Sequence, residues 1–154
     1  MMKRIASFSV DHDVLQKGMY VSRADGDVVT YDVRMKTPNA GDYLTPAQAH
    51  TIEHLFATYA RNAEVALNVV YVGPMGCRTG FYLLLRDGVS RGEALELVRG
   101  SMRFIERFDG EMPGGARKEC GNHLDHDLPG ARAVAGDYLA VLSGWSAARM
   151  EYSD

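Results

Sequence analysis

The chain is short of several things. It has only two cysteines, Cys77 and Cys120, in 154 residues. A domain of this length buries roughly two-thirds of its unfolded surface, so its core needs no disulfide staple. No apolar run approaches the ~20 residues of a membrane span. The charge is nearly balanced, 17 basic against 20 acidic side chains, a formal net of -3. With no basic stripe and no acidic tail, nothing in it favours nucleic acid as a partner. Internal repeats and low-complexity segments are also missing. The opening "MMKRIASFSVDHDV" lacks an apolar stretch long enough for a signal peptide. Together these features predict one cytoplasmic domain, residues 1–154, away from membranes. Thiols stay reduced in that compartment, so Cys77 and Cys120 read as metal ligands or reactive groups rather than a disulfide.

What is present begins with a hairpin. "YVSRADGDVVTYDVRM" sets two β-rich runs around an Asp-Gly turn signal. In the second run Val29, Tyr31, Val33 and Met35 alternate with Thr30, Asp32 and Arg34, which predicts a strand with one wet face. After the loop "TPNAGDY", Thr45 and Gln48 form a capping box. Pro46 takes the first helical position, where its missing N–H costs nothing. "EVALNVVYV" and "GFYLLLR" read as two strands joined through "GPMGCRT". A helix capped by Ser90 and Glu93 runs to about Phe108. "DGEMPGGARKECGNHLDHD" is a long polar, Gly-rich loop, and loops of that length are often functional. The last helix spans about Pro129 to Ser143. This order predicts an α+β fold, an antiparallel sheet packed against helices in a single compact domain.

The first helix carries the chemistry. With His50 at zero and 100° per residue, Glu53 falls near -60°, His54 near +40° and Ala57 near -20°, all about one face. Ile52, Leu55, Phe56 and Tyr59 fall between about 140° and 240°. A core histidine would sit on that apolar side, and a solvated face would carry Lys, Gln and Glu. Two imidazoles one turn apart on the other face can reach one ion. Ala49, Ala57 and Ala60 leave room beside them. A working divalent site takes three protein ligands and keeps a position open. Cys120 is the natural third ligand, with His123 and His126 as rivals. Cys77 sits in a sharp turn; a turn thiol is commonly inert and becomes a usable acid/base only beside a cation. The residues alone leave open an inverted zincin peptidase, in which the glutamate activates a metal-bound water. They also leave open a non-enzymatic structural metal site in an interaction module.

Five segments in register, "SFSVDH", "YDVRM", "HTIEHL", "GPMGCRTGFYL" and "KECGNHLDHDLPGAR", together resemble S-ribosylhomocysteine lyase, the LuxS family. The resemblance runs from about residue 6 to the last helix. It implies a compact α+β homodimer with two equivalent sites at the subunit interface. It implies one divalent ion per subunit, naturally Fe2+ with Zn2+ or Co2+ able to substitute, held by His50, His54 and Cys120. The acid/base residues it implies are Glu53 and Cys77. Ser7, His12 and Arg34 are the implied substrate-binding residues, supplied by the other subunit. The implied reaction cleaves the thioether of S-ribosylhomocysteine to homocysteine and dihydroxypentanedione, the autoinducer-2 precursor of quorum sensing. One departure stands out. Many relatives carry an aspartate and a serine where this chain has Tyr71 and Gly73, which removes the expected anionic contact for the substrate's amino group.

Overall fold

The computed structural model describes residues 1–153. Four strands form one antiparallel sheet in the order β1-β2-β4-β3: β1 Gly18–Asp25, β2 Val28–Arg34, β3 Val69–Pro74 and β4 Gly80–Arg86. Three helices, α1 Pro46–Ala60, α2 Arg91–Glu106 and α3 Leu128–Ser143, pack together on one face of it. This is the α+β architecture that the element order predicts.

The expected hairpin is there, and Gly26 turns it with φ +59°, a region where a side chain would be strained. Both capping boxes close: Thr45 accepts from the Gln48 N–H, and Ser90 from the Glu93 N–H. Each glutamine or glutamate side chain returns a bond to the cap's own N–H. The β3 run is shorter than its β-rich composition suggests. Ala66–Asn68 form a 3-10 turn, and only Val69–Pro74 pair with β4.

The core lies between sheet and helices. Tyr31 and Val33 of β2 and Phe81, Leu83 and Leu85 of β4 meet Ile52, Leu55 and Phe56 of α1. The period-2 and 3.6-residue patterns thus bury the sides they predict. Ala49 and Ala60 belong to this core, so of the three alanines only Ala57 opens toward a site.

The other sheet face departs from its pattern. Asp32 and Arg34 point away from the core, yet they are 1 % and 3 % exposed. The strand is not wet there, because the two side chains pair with each other and the C-terminal segment closes over them. That segment is tied down on β1. The Val21 N–H donates to the Met150 carbonyl at 2.8 Å, and the Trp145 indole N–H to the Met19 carbonyl at 2.8 Å. The Tyr138 hydroxyl at the other end of the same helix-tail unit donates to the Gly18 carbonyl at 2.7 Å.

Candidate metal and acid/base centre

His50 and His54 stand one turn apart on α1 with rings 4.6 Å between centroids. Their ring nitrogens are distinguished by the loop at residues 109–127, which folds back over the helix. His50 Nδ1 lies 2.7 Å from the Asp125 carbonyl, and His54 Nδ1 lies 2.8 Å from the Pro113 carbonyl. A carbonyl oxygen can only accept, so both Nδ1 atoms carry the proton. Both Nε2 atoms are left with bare lone pairs, the state a metal requires. Gly114 permits this geometry: it has φ +66°, and a Cβ there would lie 3.1 Å from His54 Nδ1.

The same loop brings in Cys120. One ligand atom each from His50, His54 and Cys120 lie within 4.8 Å of one another. The Cys120 sulfur is 3.4 Å from His50 Nε2. Tetrahedral bonds of about 2.3 Å to sulfur and 2.05 Å to nitrogen give a separation of about 3.6 Å. The donor set therefore fits a divalent ion held by three protein ligands. The Asn122 N–H, 3.5 Å from the sulfur, adds a donor suited to a thiolate.

His123 and His126, the rival ligands, stand outside this group. His126 instead stacks on His50, 4.2 Å between centroids at 16°. Its Nδ1 meets the Thr51 hydroxyl at 2.9 Å, and that hydroxyl also accepts the Asp127 N–H at 2.9 Å. Thr51 thereby fastens the end of the loop to α1. Burial, then the nearby His50 and His54, hold His126 below the usual imidazole range.

Glu53 shares a cleft of about 390 Å3 with His54, Ala57, Tyr71 and Gly114. Its carboxylate comes from the same helix face as the two imidazoles. Tyr71 borders this cleft and also a second one of about 270 Å3, where it meets Ser7, Thr30 and Tyr82. Gly73 is what lets the phenol lie down. A Cβ at that position would come within van der Waals overlap of the Tyr71 ring. Tyr71 and Gly73 thus form one structural unit.

Cys77 sits in the β3–β4 turn, exposed and unpaired as a free thiol. The Arg78 N–H closes the turn on the Met75 carbonyl at 3.0 Å, and Arg78 itself takes φ +62°. β4 enters close against β2. A Cβ at Gly80 would lie 2.1 Å from the Val33 carbonyl oxygen, so only glycine allows this approach. The approach sets Cys77 beside Arg34, whose NH1 is 3.9 Å from the sulfur, and beside the Thr79 hydroxyl at 3.1 Å.

Arg34 is already engaged within its own chain. Its Nε and NH2 donate to the two Asp32 oxygens at 3.0 and 2.7 Å, and its NH1 to Thr79 at 2.7 Å. Burial alone would weaken its hold on the proton, but the Asp32 hydrogen bonds and charge outweigh it and raise the guanidinium further. With its flat edge already filled by a carboxylate, Arg34 cannot also clamp the substrate carboxylate bidentately through that edge. Its open side faces Cys77.

Ser7 and His12 lie on the N-terminal arm. His12 Nδ1 meets the Val10 carbonyl at 2.8 Å, and Ser7 borders the second cleft. Neither borders the Glu53–His54 cleft of its own chain. Asp32, Thr51 and Thr79 were not picked out from the sequence. Asp32 and Arg34 at i and i+2 share a strand face, and that spacing is the one signal that could have revealed the pair.

The family model described as S-ribosylhomocysteinase (LuxS) matches residues 5–148. A protein of Clostridium acetobutylicum named S-ribosylhomocysteine lyase is 47 % identical over 99 % of this chain and 100 % of its own length. One of Phocaeicola vulgatus with the same name is 48 % identical over 90 % of this chain and 89 % of its own. Another, of Porphyromonas gingivalis, is 45 % identical over 99 % of this chain and 100 % of its own.

Proposed function

The chain belongs to the S-ribosylhomocysteinase (LuxS) family, and from that premise we propose that it is a metal-dependent carbon–sulfur lyase acting on S-ribosylhomocysteine. The observation that carries the metal dependence is the His50–His54–Cys120 group, with both Nδ1 atoms spent on loop carbonyls and both Nε2 atoms left free. The third donor is a thiol, whereas an inverted zincin completes its site with a carboxylate. Three ligands with an open position differ from the closed, sulfur-rich sets of structural sites. The ion is Fe2+ in this reading, with Zn2+ or Co2+ able to substitute.

His50, His54 and Cys120 would hold a divalent ion, which would supply Lewis acidity for the sugar's carbonyl chemistry. The protein's own task is to move protons. The ribose aldehyde is two carbons too far from the thioether for elimination. Cys77 removes the C2 proton and returns a proton to C1, which moves the carbonyl to C2. Removal at C3 and return at C2 moves it on to C3. Glu53 takes part in that later transfer and then removes the C4 proton. The C5–S bond breaks with its electron pair on sulfur, and homocysteine leaves as its thiol. The remaining five carbons become dihydroxypentanedione, with no atom gained or lost and no oxidant needed. Two acid/base groups reaching the sugar from different elements, α1 and the β3–β4 turn, suit successive transfers on neighbouring carbons.

Arg34 serves this scheme behind Cys77, providing positive charge that favours the thiolate able to take the proton. The substrate-contacting role then falls to Ser7 and His12. In keeping with the family resemblance, we assign them to a partner's site in a homodimer. The exposed Ile5 and Phe8 on the same arm, 52 % and 70 % accessible, are apolar surface that such an interface would cover. The protein works in the cytoplasm in this reading, and no helix among the described residues is long and apolar enough to cross a membrane.

The test is thiol release from S-ribosylhomocysteine by protein made without oxygen and loaded with Fe2+, followed with a thiol reagent. Release at a rate that depends on the ion supports the proposal. No release overturns it, and cleavage of a peptide in its place would restore the peptidase reading. A fully active monomer would overturn the shared site.

A further inference from the structure

The buried pair behind Cys77 has one more member. The Tyr152 hydroxyl, two residues from the chain's end, donates to Asp32 Oδ2 at 2.8 Å. The same oxygen accepts from Arg34 NH2 at 2.7 Å. The Tyr152 ring is itself stacked on Tyr20, 5.0 Å between centroids at 21°. On the far side of the pair, Arg34 NH1 donates to the Thr79 hydroxyl oxygen at 2.7 Å. An arginine N–H has nothing to accept with, so the hydroxyl proton of Thr79 stays free for the Cys77 sulfur at 3.1 Å. Tyr152, Asp32, Arg34, Thr79 and Cys77 form one continuous set of contacts from the C-terminal segment to the thiol.

We propose that Tyr152 is a positioning residue for the acid/base thiol, its hydroxyl holding Asp32 so that Arg34 and Thr79 face Cys77. This rests on the assignment of Cys77 as an acid/base group. Geometry supplies the first reason. Asp32 Oδ2 takes two donors from different directions, so the carboxylate plane, and with it the guanidinium fork, is set by both. Charge supplies the second. A hydroxyl donated to a carboxylate takes up part of its negative charge, leaving more of the Arg34 charge effective at the sulfur. Burial and then the Asp32 charge push the Tyr152 phenol well above its usual range, so it stays a donor throughout the working pH range. The charged and titratable groups around the thiol are few. Arg34 and Asp32 come from β2 and Tyr82, opposite Asp32, from β4; Arg78 is the next residue in the turn, and Tyr152 comes from the tail.

The experiment measures alkylation of Cys77 by iodoacetamide against pH in the metal-loaded protein. Peptide mass spectrometry locates the label, so Cys120 is counted separately. Tyr152→Phe keeps the ring and its stacking but removes the donor. Alkylation near neutral pH should slow about 3–10-fold and its pH midpoint should move upward, as expected for part of a charged hydrogen bond transmitted through the pair. Tyr20→Phe is the control. It removes a neighbouring hydroxyl that donates to the Gln16 carbonyl at 3.0 Å rather than to Asp32, and should leave the profile unchanged. A wild-type profile in Tyr152→Phe overturns the proposal, whether or not the thermal midpoint falls. So does an equal shift in both variants, which would assign the effect to tail packing. Failure of the underlying reading looks different: Cys77→Ala would turn substrate over normally while the alkylation result stood.

Discussion

Gly114→Ala should weaken metal binding although Gly114 is not a ligand. The residue follows Pro113, whose carbonyl fixes the His54 tautomer, and it takes φ +66°. A side chain in that region costs about 1–2 kcal/mol. The added methyl would also start 3.1 Å from His54 Nδ1 and 3.2 Å from Cε1, tighter than ordinary contact. The loop can relax by turning the Pro113 carbonyl off the imidazole, which forfeits a hydrogen bond of about 0.5–1.5 kcal/mol net. Binding the ion requires that geometry to be restored. If the metal-free loop relaxes completely, the hydrogen bond regained on binding offsets part of the strain, so the loss is the difference, at most about 1.5 kcal/mol, or up to roughly 10-fold in affinity. This reaches the lower end of the 10- to 100-fold range typical of losing a partner behind a metal-ligating histidine. If the loop does not relax, the strain appears as lower stability of the metal-free protein. Competition with a chromophoric chelator gives the affinity, and thermal unfolding of the metal-free protein gives the strain. Affinity within twofold of wild type and an unchanged melting midpoint would refute the reasoning, because the strain must appear in one of the two.

Cobalt-substituted protein should show a sulfur-to-metal charge-transfer band that disappears in Cys120→Ala; a surviving band would remove Cys120 from the ligand set. Glu53→Gln and Cys77→Ala should bind metal as wild type does and lose turnover by about 10²–10⁴-fold each, the usual contribution of a general acid/base. Loss of metal in either would make that residue a ligand instead. Asp32→Ala leaves the Arg34 guanidinium buried without its anion, a change that costs about 3–5 kcal/mol. At about 2–4 °C per kcal/mol for a domain of this size, calorimetry should show a midpoint lower by about 6–20 °C. A loss below about 1 kcal/mol would mean that water reaches Arg34 as the tail gives way.

Whatever depended on neighbours in the chain was readable from the residues. Helix α1, its Thr45–Gln48 box and the placing of His50, Glu53 and His54 opposite Ile52, Leu55 and Phe56 follow from a 3.6-residue period that tertiary packing does not alter. The alternation of β2 likewise assigned Tyr31 and Val33 to the core. The choice among Cys120, His123 and His126 was not local. It was made by a loop whose carbonyls reach the two imidazoles across 75 and 59 residues of chain. No spacing rule carries that information, because a backbone carbonyl looks the same at every position. The buried face of β2 was hidden for a related reason. Alternation tells which residues share a side of a strand, but not what lies on that side. Asp32 and Arg34 read as solvated until Tyr152, 120 residues beyond Asp32, donates to the carboxylate and closes the pair from water.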